Sequence, residues 1–234
     1  MYYYGFDPTI IILIPAIIFT VYAQAKVKRA YATYSRIPVR SGITGQQAAR
    51  MILDRNGMGH VPIETISGQL TDNYDPTKDV MHLSQGICHG NSIASVAVAA
   101  HESGHAIQDG TNYGFLKFRI AMVPVVNLVS GASWPLIIIG ILLAAAGKAI
   151  GGLIMDIGII MFLVVVLFHT VTLPVEFNAS RRALAQLSEL GIVDETEMKG
   201  ARKVLSAAAM TYVAALAVSV LNLIRILAIR GSND

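Results

Sequence analysis

The sequence predicts a mainly α membrane protein, with about four transmembrane helices and a small α+β region on the cytoplasmic side. Three observations lead there. Of the 234 residues, 54% are apolar and only 14% charged, whereas an ordinary soluble domain is about 25% charged. The deficit lies in long apolar runs, which lift the mean hydropathy to +0.56. Basic residues gather beside those runs, where they orient a membrane protein. The formal charge of +3 is too small to argue for nucleic acid as a partner, and the single cysteine, Cys88, excludes an internal disulfide framework.

Residues 9–25 form the first span, uncharged and rich in isoleucine, with Tyr2, Tyr3, Tyr4 and Tyr22 as interfacial anchors. The first residues lack a basic n-region and no cleavage site precedes Lys26, so no removable leader is expected. Lys26, Lys28, Arg29, Arg36 and Arg40 follow the span directly. The positive-inside rule then puts the amino terminus outside and the region after Lys26 in the cytoplasm.

Residues 41–89 read as a small α+β region. Thr44 and Gln47 have capping-box spacing, and the helix they open stops at Asn56-Gly57. Residues 61–66 and 79–84 read as short strands, and Asp72-Asn73-Tyr74-Asp75-Pro76 as turn chemistry. The second strand, just before the next helix, either lends an open edge to an extended peptide or only packs that helix. A second apolar run, 120–146, is interrupted by Pro124, Asn127 and Pro135. Residues 153–173 make a third span, broken by Pro174 and followed by an amphipathic helix, 176–190, that stops at Gly191. Asp194 and Glu197 form another capping box before a long helix whose later part, 204–229, is the fourth span.

The chemistry centres on His101-Glu102-Ser103-Gly104-His105. Histidines four apart share one face of a helix, so both imidazoles can reach a single zinc ion. Glu102 is rotated about 100° from His101 and sits beside the metal, placed to take a proton from a bound water. Asn91 or Ser92 is the expected N-cap and Gly110 the stop. A structural zinc site fits less well, being usually cysteine-rich and having no use for the glutamate.

A catalytic zinc site takes three protein ligands and leaves a position for water. Candidates for the third are Glu176, Asp156, His169, His82 and His89. Two spans separate His105 from Glu176, so the chain returns to the face it left and Glu176 opens a helix there. A glutamate in that place also suits a helix dipole. Asp156 is an ionisable group inside a span and so a functional candidate in its own right. His169 is either a supporting donor or a satisfied core histidine.

The motif from His101 to His105, a two-span hairpin and then Glu176-Phe177-Asn178-Ala179-Ser180-Arg181-Arg182-Ala183 resemble the YugP-type neutral zinc metallopeptidases. Leu70-Thr71-Asp72-Asn73-Tyr74-Asp75-Pro76 and Gly90-Asn91-Ser92-Ile93-Ala94 extend the likeness over most of the chain. More distantly it is similar to HtpX-type and CAAX-prenyl-type membrane proteases. The resemblance implies a zincin-like cytoplasmic region with a gluzincin site: His101, His105 and Glu176 on Zn2+, and Glu102 as general base. It also implies membrane or misfolded proteins as substrates. One departure stands out. Where the HtpX-like pattern has an aspartate that orients a ligand histidine, four residues after the glutamate, this chain has Ser180. A hydroxyl can accept from an imidazole but brings no charge, so support is expected to be weaker or to come from Asp109, Asp75 or elsewhere.

The expected organisation is an anchor (1–25), a cytoplasmic zincin-like region (26–118), a transmembrane hairpin (119–175), a cytoplasmic helix with the third ligand (176–203) and a last transmembrane helix (204–234). The expected activity is hydrolysis of polypeptide by a multi-pass protein of the cell membrane, with Arg181, Arg182, Tyr113 and Tyr212 as candidate oxyanion donors. Two rivals are a site-2-type intramembrane protease and a non-catalytic zinc-binding scaffold. Sequence alone fixes neither oligomeric state nor cleavage specificity.

Overall fold

The computed structural model describes residues 8–231; Tyr2, Tyr3 and Tyr4 lie outside the described residues. The chain divides into two compact units. An apolar one gathers residues 8–22, 118–172 and 212–231, and a more polar one residues 23–117 and 173–211. Among the described residues, four helices are long and apolar enough to cross a membrane. They are α1 (Ile14–Tyr34, entered through a 3-10 turn, Pro8–Leu13), α5 (Gly114–Ala145), α6 (Ile150–Glu189) and α7 (Glu195–Gly231).

The apolar unit turns large side chains outward. Ile18, Leu128, Leu142 and Ile160 are all exposed, as suits helices whose solvent is lipid and whose backbone bonds are all internal. Its own packing relies on close backbone approach, the usual substitute for hydrophobic drive inside a bilayer. A Cβ on Gly140 would fall 2.6 Å from the backbone nitrogen of Met155, so the backbones of α5 and α6 approach closely there. Asp156 of α6 pairs with Arg230 of α7, Nε to Oδ1 at 2.9 Å.

The prolines do not end their helices. Pro124 and Pro135 lie inside α5, and Pro174, expected to break the pattern, lies inside a continuous α6. Pro174 cannot donate to the carbonyl of Thr170, yet the turns on either side keep helical geometry. The amphipathic helix expected at 176–190 is therefore the last part of α6.

In the polar unit α2 (Gly45–Arg55) begins with the expected capping box: Gln47 N donates to Thr44 Oγ1, and Thr44 N to Gln47 Oε1. It ends at Asn56, with Gly57 at φ +73°. Three strands follow, β1 (Ile63–Ile66), β2 (Asn73–Asp75) and β3 (Val80–Ser84), in the order β1-β3-β2. β1 runs parallel to β3 with Ile63 opposite Met81, and β2 runs antiparallel with Tyr74 opposite Met81. Two sequence expectations change here. The stretch expected as a turn supplies β2, because pairing with β3 outweighs the poor strand propensity of asparagine and aspartate. β3 is central, so of its two expected uses the open edge is ruled out, and the edge strands are β1 and β2.

A four-residue helix, α3 (Gln85–Cys88), leads to α4 (Ile93–Gly110), which Ser92 caps by accepting from Ser95 N at 3.1 Å. Most of α4 is buried, and its small side chains (Ala94, Ala97, Ala99, Ala100) let α2, Leu187 of α6 and Val204 of α7 close around it in one core. The second capping box also forms: Asp194 N donates to Glu197 Oε2, and Glu197 N to Asp194 Oδ1. Glu197 additionally accepts from Arg40 N at 2.7 Å, tying α7 to the chain before α2.

Candidate metal centre

The helical spacing that makes His101 and His105 neighbours on α4 brings their rings edge to face, with centroids 4.8 Å apart. Across from them Glu176, on α6, is nearly fully buried. Its Oε2 lies 3.3 Å from His101 Nε2 and 3.5 Å from His105 Nε2. Among the described residues this is the one group of three His, Cys, Asp or Glu side chains whose ligand atoms converge, all within 4.8 Å of one another. Four ligands held tetrahedrally at roughly 2.0–2.1 Å from zinc stand about 3.4 Å apart, and the two imidazole-to-carboxylate separations match that spacing. α4 and α6 come this close because residue 104 is glycine: an added Cβ would lie 2.5 Å from the carbonyl oxygen of Ala179.

The electrostatics agree with the donor set. Burial alone would raise the pKa of Glu176, which lies beyond the apolar stretch of α6. The two imidazoles, 3.3 and 3.5 Å away, outweigh it and hold the carboxyl well below the usual carboxylate range. Glu102 is buried beside the group and responds in the other direction. Desolvation raises its pKa from 4.5 to about 7, against the opposing pull of His101. It is thus set apart from Glu176, the condition for a group that takes up and releases a proton near neutrality.

Glu102 is held by the sheet. The backbone N–H of Tyr74, on edge strand β2, donates to Glu102 Oε2 at 3.0 Å. The Tyr74 hydroxyl lies 2.7 Å from Asp79 Oδ1 and 3.1 Å from Asp109 Oδ2, and Lys117 pairs with Asp109. Burial first, then the two carboxylates, push the Tyr74 hydroxyl above its ordinary value of 10.

Each imidazole has a partner on its outer nitrogen. Ser180 Oγ lies 3.2 Å from His101 Nδ1, so the hydroxyl in place of an aspartate does reach the ligand ring. His105 Nδ1 lies 3.0 Å from Gln108 Oε1, a contact the sequence reading missed. Asp109 and Asp75, considered for that support, are engaged elsewhere: Asp109 with Tyr74 and Lys117, Asp75 in capping the N–H groups of Thr77 and Lys78.

The other candidates fall outside the group. Asp156 faces Arg230, and His169 packs its ring against Phe168 in the apolar unit. His82 Nδ1 contacts Asn73 and its Nε2 lies 3.5 Å from Glu64, while His89 only follows the end of α3. Of the expected oxyanion donors, Arg182 Nε is bound to Asn178, Tyr113 packs on Phe115, Arg181 is exposed and Tyr212 belongs to the apolar unit.

A family model described as "Putative neutral zinc metallopeptidase" matches residues 9–231. The chain belongs to that family. It is 45% identical over 216 residues to "Putative membrane protease YugP" of Bacillus subtilis (strain 168), covering 92% of this chain and 93% of that protein. No solved structure matches. Membership makes zinc the metal that the donor set is to be read against, and the chain a membrane protein of a metallopeptidase family.

Proposed function

We propose that this chain is a membrane-anchored zinc endopeptidase, with Glu102 as general base and His101, His105 and Glu176 as the metal ligands. The convergence of those three ligand atoms, with Glu102 buried alongside, carries the reading. Bound zinc lowers the pKa of a water and polarises the scissile carbonyl. Glu102 Oε2, oriented by the Tyr74 N–H, takes the proton of the attacking water and passes it to the departing amine. β2 is an edge strand, and its Tyr74 lies next to that carboxylate. An extended substrate strand adding there has its peptide bond presented to the base. The arginines and lysines after the first span support a cytoplasmic position for this site, with residues 119–175 as a hairpin that returns Glu176 to that face.

The intramembrane alternative relies on Asp156 completing the metal set, and the Asp156–Arg230 ion pair supports an architectural use of that carboxylate instead. The scaffold alternative leaves a buried base beside the ligands without a purpose. Purified chain assayed on an unfolded polypeptide, wild type beside Glu102→Gln, tests the proposal. Cleavage should fall about 10²–10⁴-fold while zinc stays bound. Equal cleavage by both forms removes Glu102 from the mechanism. Zinc-free wild type removes the site.

A further inference from the structure

Gln108 is fully buried on α4, three residues beyond His105, and its amide is saturated. Its Nε2 donates to the Val175 carbonyl at 2.7 Å and to Asn178 Oδ1 at 3.0 Å, both on α6 around Glu176. Its Oε1 faces His105 Nδ1 at 3.0 Å.

The directions of these bonds follow from groups that have no choice. A backbone carbonyl only accepts, so the atom facing Val175 must be the amide nitrogen. A guanidinium only donates, so Asn178 must turn its oxygen to Arg182 Nε, 2.8 Å away, and that same oxygen receives Gln108 Nε2. Both ends fix Gln108 in one orientation, with Oε1 towards the histidine. Oε1 cannot donate. His105 must therefore carry its proton on Nδ1, which leaves the Nε2 lone pair directed at Glu176 Oε2. His101 has no such lock, since the Ser180 hydroxyl can donate or accept.

We infer that Gln108 is a positioning residue that locks His105 in its Nδ1–H tautomer and ties the histidine helix to the glutamate-bearing helix, with Asn178 and Arg182 holding it in register. The inference rests on the ligand assignment proposed above. Outer-shell partners of metal-bound histidines set the tautomer and ring orientation, and losing one typically weakens metal binding about 10–100-fold. Here the partner is a neutral amide anchored from the opposite ligand helix, so one side chain sets both the imidazole's tautomer and the distance to the third ligand.

The test uses the full chain in detergent micelles, ¹⁵N-labelled at histidine. Zinc affinity is measured by chelator competition, and the His105 ring protons by NMR of the zinc-loaded protein. Wild type should show an exchange-protected Nδ1–H on His105. Gln108→Met, close in shape but without the amide, should lose that protection and bind zinc about 10-fold or more weakly. A Gln108→Met protein with wild-type zinc affinity and an unchanged Nδ1–H signal overturns the inference while leaving the ligand assignment intact. The wild-type spectrum decides even if the variant fails to fold, because an unprotonated Nδ1 on His105 in loaded protein overturns it as well. Failure of wild type to bind zinc through His105 sinks the ligand assignment instead.

Discussion

Gly104 lies against the backbone of Ala179, so close that a Cβ at residue 104 would sit 2.5 Å from the Ala179 carbonyl oxygen and 3.0 Å from its carbon. The obstacle is main chain inside a helix, which cannot swing aside as a side-chain tip would. Gly104→Ala should force α4 and α6 apart, destabilise the protein by about 1–3 kcal/mol and loosen the His105–Glu176 spacing. Thermal unfolding in detergent and zinc affinity measure the two effects. A wild-type melting temperature together with wild-type zinc affinity would show that the helices have room to spare.

Glu176→Gln keeps the volume of the side chain and removes its charge. Oε2 is the atom shared by both imidazoles, at 3.3 and 3.5 Å. Zinc affinity should drop by at least about 100-fold, the upper end of what loss of a supporting contact alone produces. Chelator competition reads this directly, and undiminished zinc binding would show that the third ligand is another group.

The buried Glu102 makes a stability prediction for metal-free protein. Its folded pKa of about 7 exceeds its ordinary 4.5, so between those values the folded state holds a proton that the unfolded chain has lost. Stability therefore falls as pH rises through that window, and the cost is complete above pH 7. Glu102→Gln, whose amide oxygen can still accept from Tyr74 N–H, avoids the cost. It should be more stable than metal-free wild type at pH 8, by on the order of 3 kcal/mol, with the difference vanishing below about pH 4.5. Denaturant midpoints at both pH values check it, and a pH-independent difference would locate the cause outside this carboxyl.

Asp156→Asn separates architecture from chemistry. Breaking its pair with Arg230 (2.9 Å) should lower the melting temperature. The loss should fall between the ~1 kcal/mol of an exposed pair and the 3–5 kcal/mol of a buried one. Zinc content should not change. A variant that loses zinc would return Asp156 to the metal site.

Much of this was legible in the residues. His101, Glu102 and His105 could be read because a helix converts a spacing of four into a shared face. The capping boxes at Thr44 and Asp194 could be read because their chemistry is local. Glu176 needed more: nothing within its own helix marks it as a candidate ligand, and only the count of intervening spans, with the family resemblance, pointed to it. Gln108 was missed because a glutamine three residues after a histidine is commonplace. Its partners, Val175 and Asn178, come from α6, and a tertiary amide network leaves no trace in spacing. The available hint was that residues 105 and 108 share the face that 101 begins. β2 was misread for the opposite reason. Asn73 and Asp75 are good turn residues, and only their pairing with β3 makes them a strand. Pro174 likewise read as a stop, because the rule that breaks helices at proline is weighted by water competing for the freed carbonyl, and an apolar helix removes that competitor.

His105 belongs to α4 and Glu176 to α6, with all of α5 and the apolar first part of α6 between them in the chain. On the proposed ligand assignment, a ribosome that has just finished the histidine motif has made two of the ligands and not yet the third. On that assignment the three-ligand group cannot assemble until the intervening hydrophobic segments have been synthesised, which ties capture of the metal to completion of the membrane helices.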